Sequence, residues 1–227
     1  VPLLLGLLTA ALLAAGQVAV SPEEVVRGDP ATPSLALVFN VGAGSEPATA
    51  ILDTLADKHV QATFFVMGWW AERNPEVLAR IAAEGHEVAS HGHSVFDLTQ
   101  VSDARVQADL LAADAAISAV TGRTTRPLWS PSAGYRDLRV RRIAADLGYR
   151  PILWTLDSLD WTFEATPESV YSRVMQGASN GAIVVLHFDS PRTTTSTALV
   201  LPQLIHDLRA AGYRLVTISE LLAPQPL

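Results

Sequence analysis

From residue 34 to residue 222 the chain alternates short apolar runs with longer segments whose apolar residues recur every three or four positions. The short runs, at 35–41, 62–67, 87–91, 127–130, 151–156, 182–187 and 214–216, predict strands. The amphipathic segments at 47–58, 74–84, 102–121, 137–147, 166–178 and 196–211 predict helices. Their punctuation agrees. Asn74-Pro75 and Thr166-Pro167 place a capping residue before a proline at the first helical position, and Gly85, Gly122, Gly148 and Gly212 follow the helix ends. Strand and helix alternate throughout, which predicts an α/β fold, a mostly parallel sheet or barrel with helices outside and its chemistry at the carboxyl ends of the strands.

Residues 1–20 break the pattern. They are almost wholly apolar, and the first charged residue is Glu23, so this stretch is expected to be a signal peptide or membrane anchor outside the fold. Residues 21–33, with several prolines and charges, are expected to be a linker, 34–222 the domain and 223–227 a tail. The protein is therefore expected to be secreted or membrane-anchored and extracytoplasmic. The absence of cysteine from the 227 residues excludes disulfide scaffolds, thiolate zinc sites and cysteine nucleophiles. A formal charge of −7 with no basic cluster argues against a nucleic-acid partner.

The expected strand ends carry polar groups from distant parts of the chain: Asn40-Val41-Gly42, His91-Gly92-His93-Ser94, Ser130-Pro131, Asp157 to Trp161, and His187-Phe188-Asp189. Converging on one rim, imidazoles, carboxylates and an indole suit hydrolytic or glycan-binding chemistry. Nucleotide binding is unsupported, because Gly42-Ala43-Gly44 does not extend to a dinucleotide fingerprint and the single lysine, Lys58, is not in a phosphate loop. Ser90, Ser94 and Ser190 lie near histidines, yet no Gly-x-Ser-x-Gly elbow accompanies them. Trp69 and Trp70 are expected in packing rather than on a sugar platform.

The segments LALVFNVGAGSE, ATFFVMGWWAERNPEVLARIAAEGHEVASHGHS, WSPSAGY, LGYRPILWTLDSLDW, GAIVVLHFDS and AAGYRLVTISELL occur in an order and at a spacing that resemble the NodB-like polysaccharide deacetylases, carbohydrate esterase family four. The resemblance covers nearly the whole domain. It implies a distorted (β/α) barrel with fewer than eight strands and a reaction that hydrolyses the carbon–nitrogen amide bond of an N-acetylated sugar in peptidoglycan or chitin-like glycans. In the family one carboxylate and two imidazoles hold a zinc-like divalent metal, a second carboxylate is the base, a histidine on the opposite wall is the acid, and an arginine and an aspartate tune the pair.

Carried over position by position, the resemblance is uneven. Where the family has two adjacent aspartates, base first and ligand second, this chain has Asn40 and Val41; where it has the second ligand histidine, this chain has Val95; where it has the arginine, this chain has Ser130. An amide has no basic form near neutral pH, and valine offers a cation no lone pair. His91 remains, with His93 two residues on as a substitute ligand assisted by Glu46 or Asp189. Arg126 and Arg136 are the arginines near enough in sequence to replace the missing one. The acid wall matches, with His187 as proton donor, Asp157 or Asp160 orienting it, and Trp161, Asn40 and Ser130 as glycan contacts. The expectation is a family member at the cell envelope whose partner is acetylated polysaccharide or peptidoglycan, whose metal binding is weak or absent, and whose deacetylation is impaired. Its alternative is an inactive glycan- or protein-binding pseudoenzyme.

Overall fold

A computed structural model of the chain describes residues 20–188 and 191–224. The apolar run expected as signal or anchor, the end of the tail, Asp189 and Ser190 lie outside the described residues. No helix among the described residues is long and apolar enough to cross a membrane.

The elements follow in the order β1 (Ser34–Val41), α1 (Ala48–Asp57), β2 (Thr63–Val66), α2 (Gly68–Arg73), α3 (Pro75–Ala83), β3 (Glu87–Ser90), α4 (Asp103–Thr121), β4 (Leu128–Trp129), α5 (Leu138–Asp146), β5 (Arg150–Pro151), β6 (Leu156–Asp157), α6 (Pro167–Gly177), β7 (Ile183–His187), α7 (Pro191–Thr195), α8 (Thr197–Ala210), β8 (Arg214–Leu215) and α9 (Ile218–Leu221). The sheet runs β5-β4-β3-β2-β1-β7-β6, with β8 on the amino end of β1, and all these strand pairings are parallel. This is the parallel α/β arrangement that the alternating pattern predicts and the distorted (β/α) barrel that the family resemblance implies.

Strand parity divides the core. On β1, Leu35, Leu37, Phe39 and Val41 face the helical layer, where they pack with Trp70, Leu201 and Phe188. Ala36 and Val38 face the barrel interior with Phe65, Ala89, Ile183 and Val185. Both faces of β1 are buried, which is why its sequence is a continuous apolar run. The next interior-facing positions toward the carboxyl ends are Asn40 on β1, His91 just past β3, and His187 on β7. The register sets Asn40 directly beside His187. Polar groups at the mouth of an apolar interior are thus a consequence of alternation.

Two expectations about elements need correction. The single strand at 151–156 is two short strands, because Ile152 leaves β5 to pair with Val25 and Trp154 turns toward the barrel mouth. The segment 21–33 is not a free linker. Val25 forms a parallel bridge to Ile152 and Arg27 an antiparallel bridge to Ala182, so this strap fills the seam between β5 and β7, where the barrel is not closed by β6 alone. The bonds are Val25 N to the Pro151 carbonyl (2.9 Å), Leu153 N to the Val25 carbonyl (2.8 Å) and Gly28 N to the Gly181 carbonyl (2.8 Å). Val25 is buried in the interior cluster. Proline and charge gave the stretch a linker's composition, while one buried valine and its backbone bonds hold it in place.

Candidate functional site

At the carboxyl ends of the strands lies a cleft of about 560 Å³, lined by residues that include Asn40, Val41, Met67, His91, Val95, Tyr135, Trp154, Asp157, Trp161, His187 and Arg192. Its two walls have different chemistry.

On one wall the chain after β6 makes a tight turn. The Asp157 carboxylate accepts from Leu159 N at 2.9 Å, Leu159 adopts φ 57°, and the Leu159 carbonyl accepts from Thr162 N at 3.1 Å. A left-handed leucine is a strained choice at the edge of a functional cleft. The turn has two products. It sends Trp161 outward, half exposed, with its ring edge-on to His187 at 6.4 Å. It also folds Asp160 underneath, where it is fully buried. Asp160 Oδ1 lies 2.7 Å from His187 Nδ1, and Oδ2 accepts from His187 N at 2.8 Å and from the Thr197 hydroxyl in a short bond. A carboxylate on Nδ1 requires the proton there, so the buried aspartate sets the tautomer and rotation of the ring. Asp160 is therefore the orienting aspartate, whereas Asp157 lines the cleft and holds the turn.

On the other wall His91 is buried, and its Nδ1 donates to the Ser130 carbonyl at 2.8 Å. Burial lowers its pKa to about 4, so near neutrality it is an uncharged imidazole with its lone pair on Nε2. Asn40 is 5% exposed, and its Oδ1 has no hydrogen-bond partner. Val41 packs in the helical layer, while Val95 is 67% exposed.

Several expected contributors lie elsewhere. His93 does not join His91: it is absent from the cleft lining, and its Nδ1 is buried without a partner against Gly68 at the start of α2. Its backbone explains the position, because His93 N and Ser94 N donate to Asp109 of α4 at 2.8 and 3.0 Å. Gly92, with φ +82°, permits this approach, since a Cβ there would stand 2.8 Å from the Asp109 carboxylate. Ser130 serves the site through its carbonyl and is not in the lining. Arg126 is engaged by Asp114 and the Tyr149 ring, and Arg136 forks onto Glu24 of the strap at 3.0 and 3.1 Å, so neither replaces the missing arginine. Trp70 is core and donates to the Gly44 carbonyl, and Trp69 stacks under Arg73, so both are packing residues as expected.

A metal of the family's kind does not fit this donor set. Beside His91 stand an amide, a valine turned into the helical layer and a valine turned to solvent, and no group of three or more metal-ligating side chains comes together among the described residues.

The polysaccharide deacetylase family model matches residues 27–152. The chain belongs to the polysaccharide deacetylase family. This family chain is 32% identical over 202 residues to an uncharacterized Bacillus subtilis protein, YlxY, covering 88% of the present chain and 61% of that protein. It is 30% identical over 190 residues to a peptidoglycan-N-acetylglucosamine deacetylase of Bacillus cereus, covering 83% of this chain and 87% of the relative. Among solved structures, a carbohydrate esterase family 4 pseudoenzyme from Bacillus anthracis, BA3943, superposes with a TM-score of 0.83 at 30% identity over 90% of this chain and 70% of that one. A mutant of that pseudoenzyme is described as having restored enzymatic activity and gives the same TM-score at 29% identity, over 90% of this chain and 72% of that one.

The family motifs made His187, Asp160 and Trp161 legible in the sequence. Three residues that shape the cleft were missed. Thr197, which bonds Asp160, and Arg192, in the lining, lie on helices after β7, for which Pro191 was the available signal; Asp109, on α4, holds the His93 backbone away from the cleft.

Proposed function

We propose that this protein binds N-acetylated cell-envelope glycan in the cleft without carrying out metal-assisted deacetylation, as an inactive member of its family. One observation carries the reading: the wall that would hold a cation offers a single imidazole, His91, between Asn40 and two valines, while the opposite wall has His187, Asp160 and the cleft-lining, half-exposed Trp161. Loss of the base and of two ligands removes coupled parts of one mechanism, whereas the shape and stacking surface that hold a glycan do not depend on them.

The unpartnered Asn40 Oδ1 supports acetamido binding, because a buried acceptor gains most from a ligand that supplies an N–H. The apolar run at residues 1–20 and the peptidoglycan named for the Bacillus cereus relative support a place at the cell envelope.

Calorimetric titration with chitooligosaccharides and peptidoglycan fragments is expected to give saturable binding that Trp161→Ala abolishes. The purified protein is expected to hold substoichiometric zinc and to release no acetate. Stoichiometric zinc together with acetate release that His91→Ala abolishes would establish a rearranged enzyme instead.

A further inference from the structure

Arg192, on the short helix α7 after β7, lines the cleft beside His187 and belongs to none of the motifs that carry the family resemblance. Its guanidinium lies over the Phe163 ring at 4.0 Å, and Phe163 is itself 81% exposed. Arg126, Arg136, Arg139 and Arg141 each pair with a carboxylate, whereas Arg192 has no ion pair among the described residues. Among the described lining residues the one carboxylate, Asp157, accepts from Leu159 N through Oδ1 and makes no ion pair with Arg192. Among the described lining residues Arg192 is the only arginine or lysine, and His91 is uncharged, so it is the cleft's permanent cation in a chain of formal charge −7.

Stacking fixes what this cation can recognise. A guanidinium lying on an aromatic face is covered on one side and keeps its N–H donors pointing outward in its own plane. That edge matches a coplanar carboxylate, which accepts two parallel bonds. A neutral chitin-like glycan has no group that uses this edge as well.

We propose that the cleft selects glycans that carry a carboxylate as well as acetamido groups, with Arg192 as the specificity-determining residue and Phe163 as its support. The inference rests on the glycan-binding reading above. Two sources supply that chemistry, the lactyl carboxylate of peptide-free N-acetylmuramic acid residues and the carboxylates of a stem peptide.

The test compares three ligands by calorimetry: a neutral chitooligosaccharide, a peptidoglycan glycan strand freed of peptide by amidase, and a muropeptide with its stem peptide. Wild-type protein is expected to bind at least one carboxylated ligand about tenfold more tightly than the neutral one, with the stronger of the two identifying the source. In Arg192→Gln this preference is expected to vanish, while binding of the neutral ligand persists and shows that the cleft is folded. Equal wild-type affinity for all three ligands overturns the inference and leaves the glycan reading intact. So does an Arg192→Gln variant that keeps the preference, or that weakens neutral and carboxylated ligands in the same proportion. A wild-type protein that binds none of the three removes the glycan reading as well.

Discussion

His187 and Asp160 are joined twice: the buried carboxylate takes the ring Nδ1 at 2.7 Å through one oxygen and the backbone N–H at 2.8 Å through the other. The Thr197 hydroxyl completes the shell. The ring is thereby fixed in rotation as well as tautomer, in a cleft also lined by Asn40 and Val41, which stand where the resemblance implies two aspartates. Asp160→Asn turns an amide N–H₂ toward donors and is expected to cost about 2–3 kcal/mol, against about 1–2 kcal/mol for Thr197→Val. Urea unfolding gives the costs. The His187 Nδ1 proton resonance, expected to persist in Thr197→Val and to shift in Asp160→Asn, separates the orienting role from bulk stability.

The family resemblance predicts how a cation site can be built beside His91. Val95 is exposed, so Val95→His is expected to leave stability within about 0.5 kcal/mol of wild type. Val41 packs in the helical layer, so Val41→Asp alone places a carboxylate among apolar side chains and is expected to cost about 3 kcal/mol or more. When Asn40→Asp, Val41→Asp, Val95→His and Ser130→Arg are combined, zinc is expected to restore the lost stability, because a cation that binds only the folded state stabilises it by mass action. Thermal melts with zinc and with chelator check this. A folded quadruple variant whose melting temperature ignores zinc would mean that the loops no longer bring these positions together.

Asn40 carries the cost of an unmet acceptor in the ligand-free protein, about 1–3 kcal/mol for a fully buried group. Asn40→Leu removes the acceptor together with that cost. It is expected to melt no lower than wild type while binding N-acetylated oligosaccharides about tenfold more weakly. Oligomers without acetamido groups should bind the two proteins alike. A destabilised variant with unchanged affinity would make Asn40 a packing residue.

His91 couples the site to pH. Burial holds its pKa near 4 in the folded protein, below the ordinary 6.5 of an unfolded histidine. Between those values the unfolded chain takes up a proton that the folded one refuses, so stability is fully present above pH 6.5 and is lost as the pH falls toward 4. The loss attributable to this ring is about 3 kcal/mol. His86, likewise lowered by burial, acts in the same direction. Urea midpoints between pH 7 and pH 4 are expected to fall less steeply in His91→Gln than in wild type. Parallel slopes would show that the ring is not held neutral.

The sequence disclosed the barrel and the acid wall because both depend on local signals, the apolar runs and the Asp157-to-Trp161 and His187 motifs. It did not disclose which aspartate holds His187, since that depends on the Leu159 turn folding Asp160 inward. Nor did it place His93, whose direction is set by Asp109 sixteen residues away on α4. A two-residue spacing puts imidazoles on one side only while the strand continues, and β3 ends at Ser90. Helix α2, of six residues, and α9, of four residues opened by the Thr217–Glu220 capping box, are too short for a helical period to show in the sequence.

The strap carries the remaining prediction. Composition suggested that the domain begins at residue 34, yet Val25 is buried in the barrel interior and residues 25–28 bond to both sides of the seam. Glu24 ties the same strap to the cleft rim through Arg136 and Arg141, and the Arg136 hydrogen bonds hold its carboxyl below the usual carboxylate range. These ion pairs are partly exposed and contribute less than about 1 kcal/mol each, whereas uncovering Val25 costs about 1.5–3 kcal/mol. A chain begun at residue 34 is therefore expected to unfold at lower urea than one begun at residue 21, by more than Glu24→Gln alone causes. Val25→Ser in the longer chain should reproduce most of the difference. Identical midpoints for the two lengths would mean that the seam closes without the strap, and that the backbone bonds at Val25 and Gly28 are incidental to the stability of the barrel.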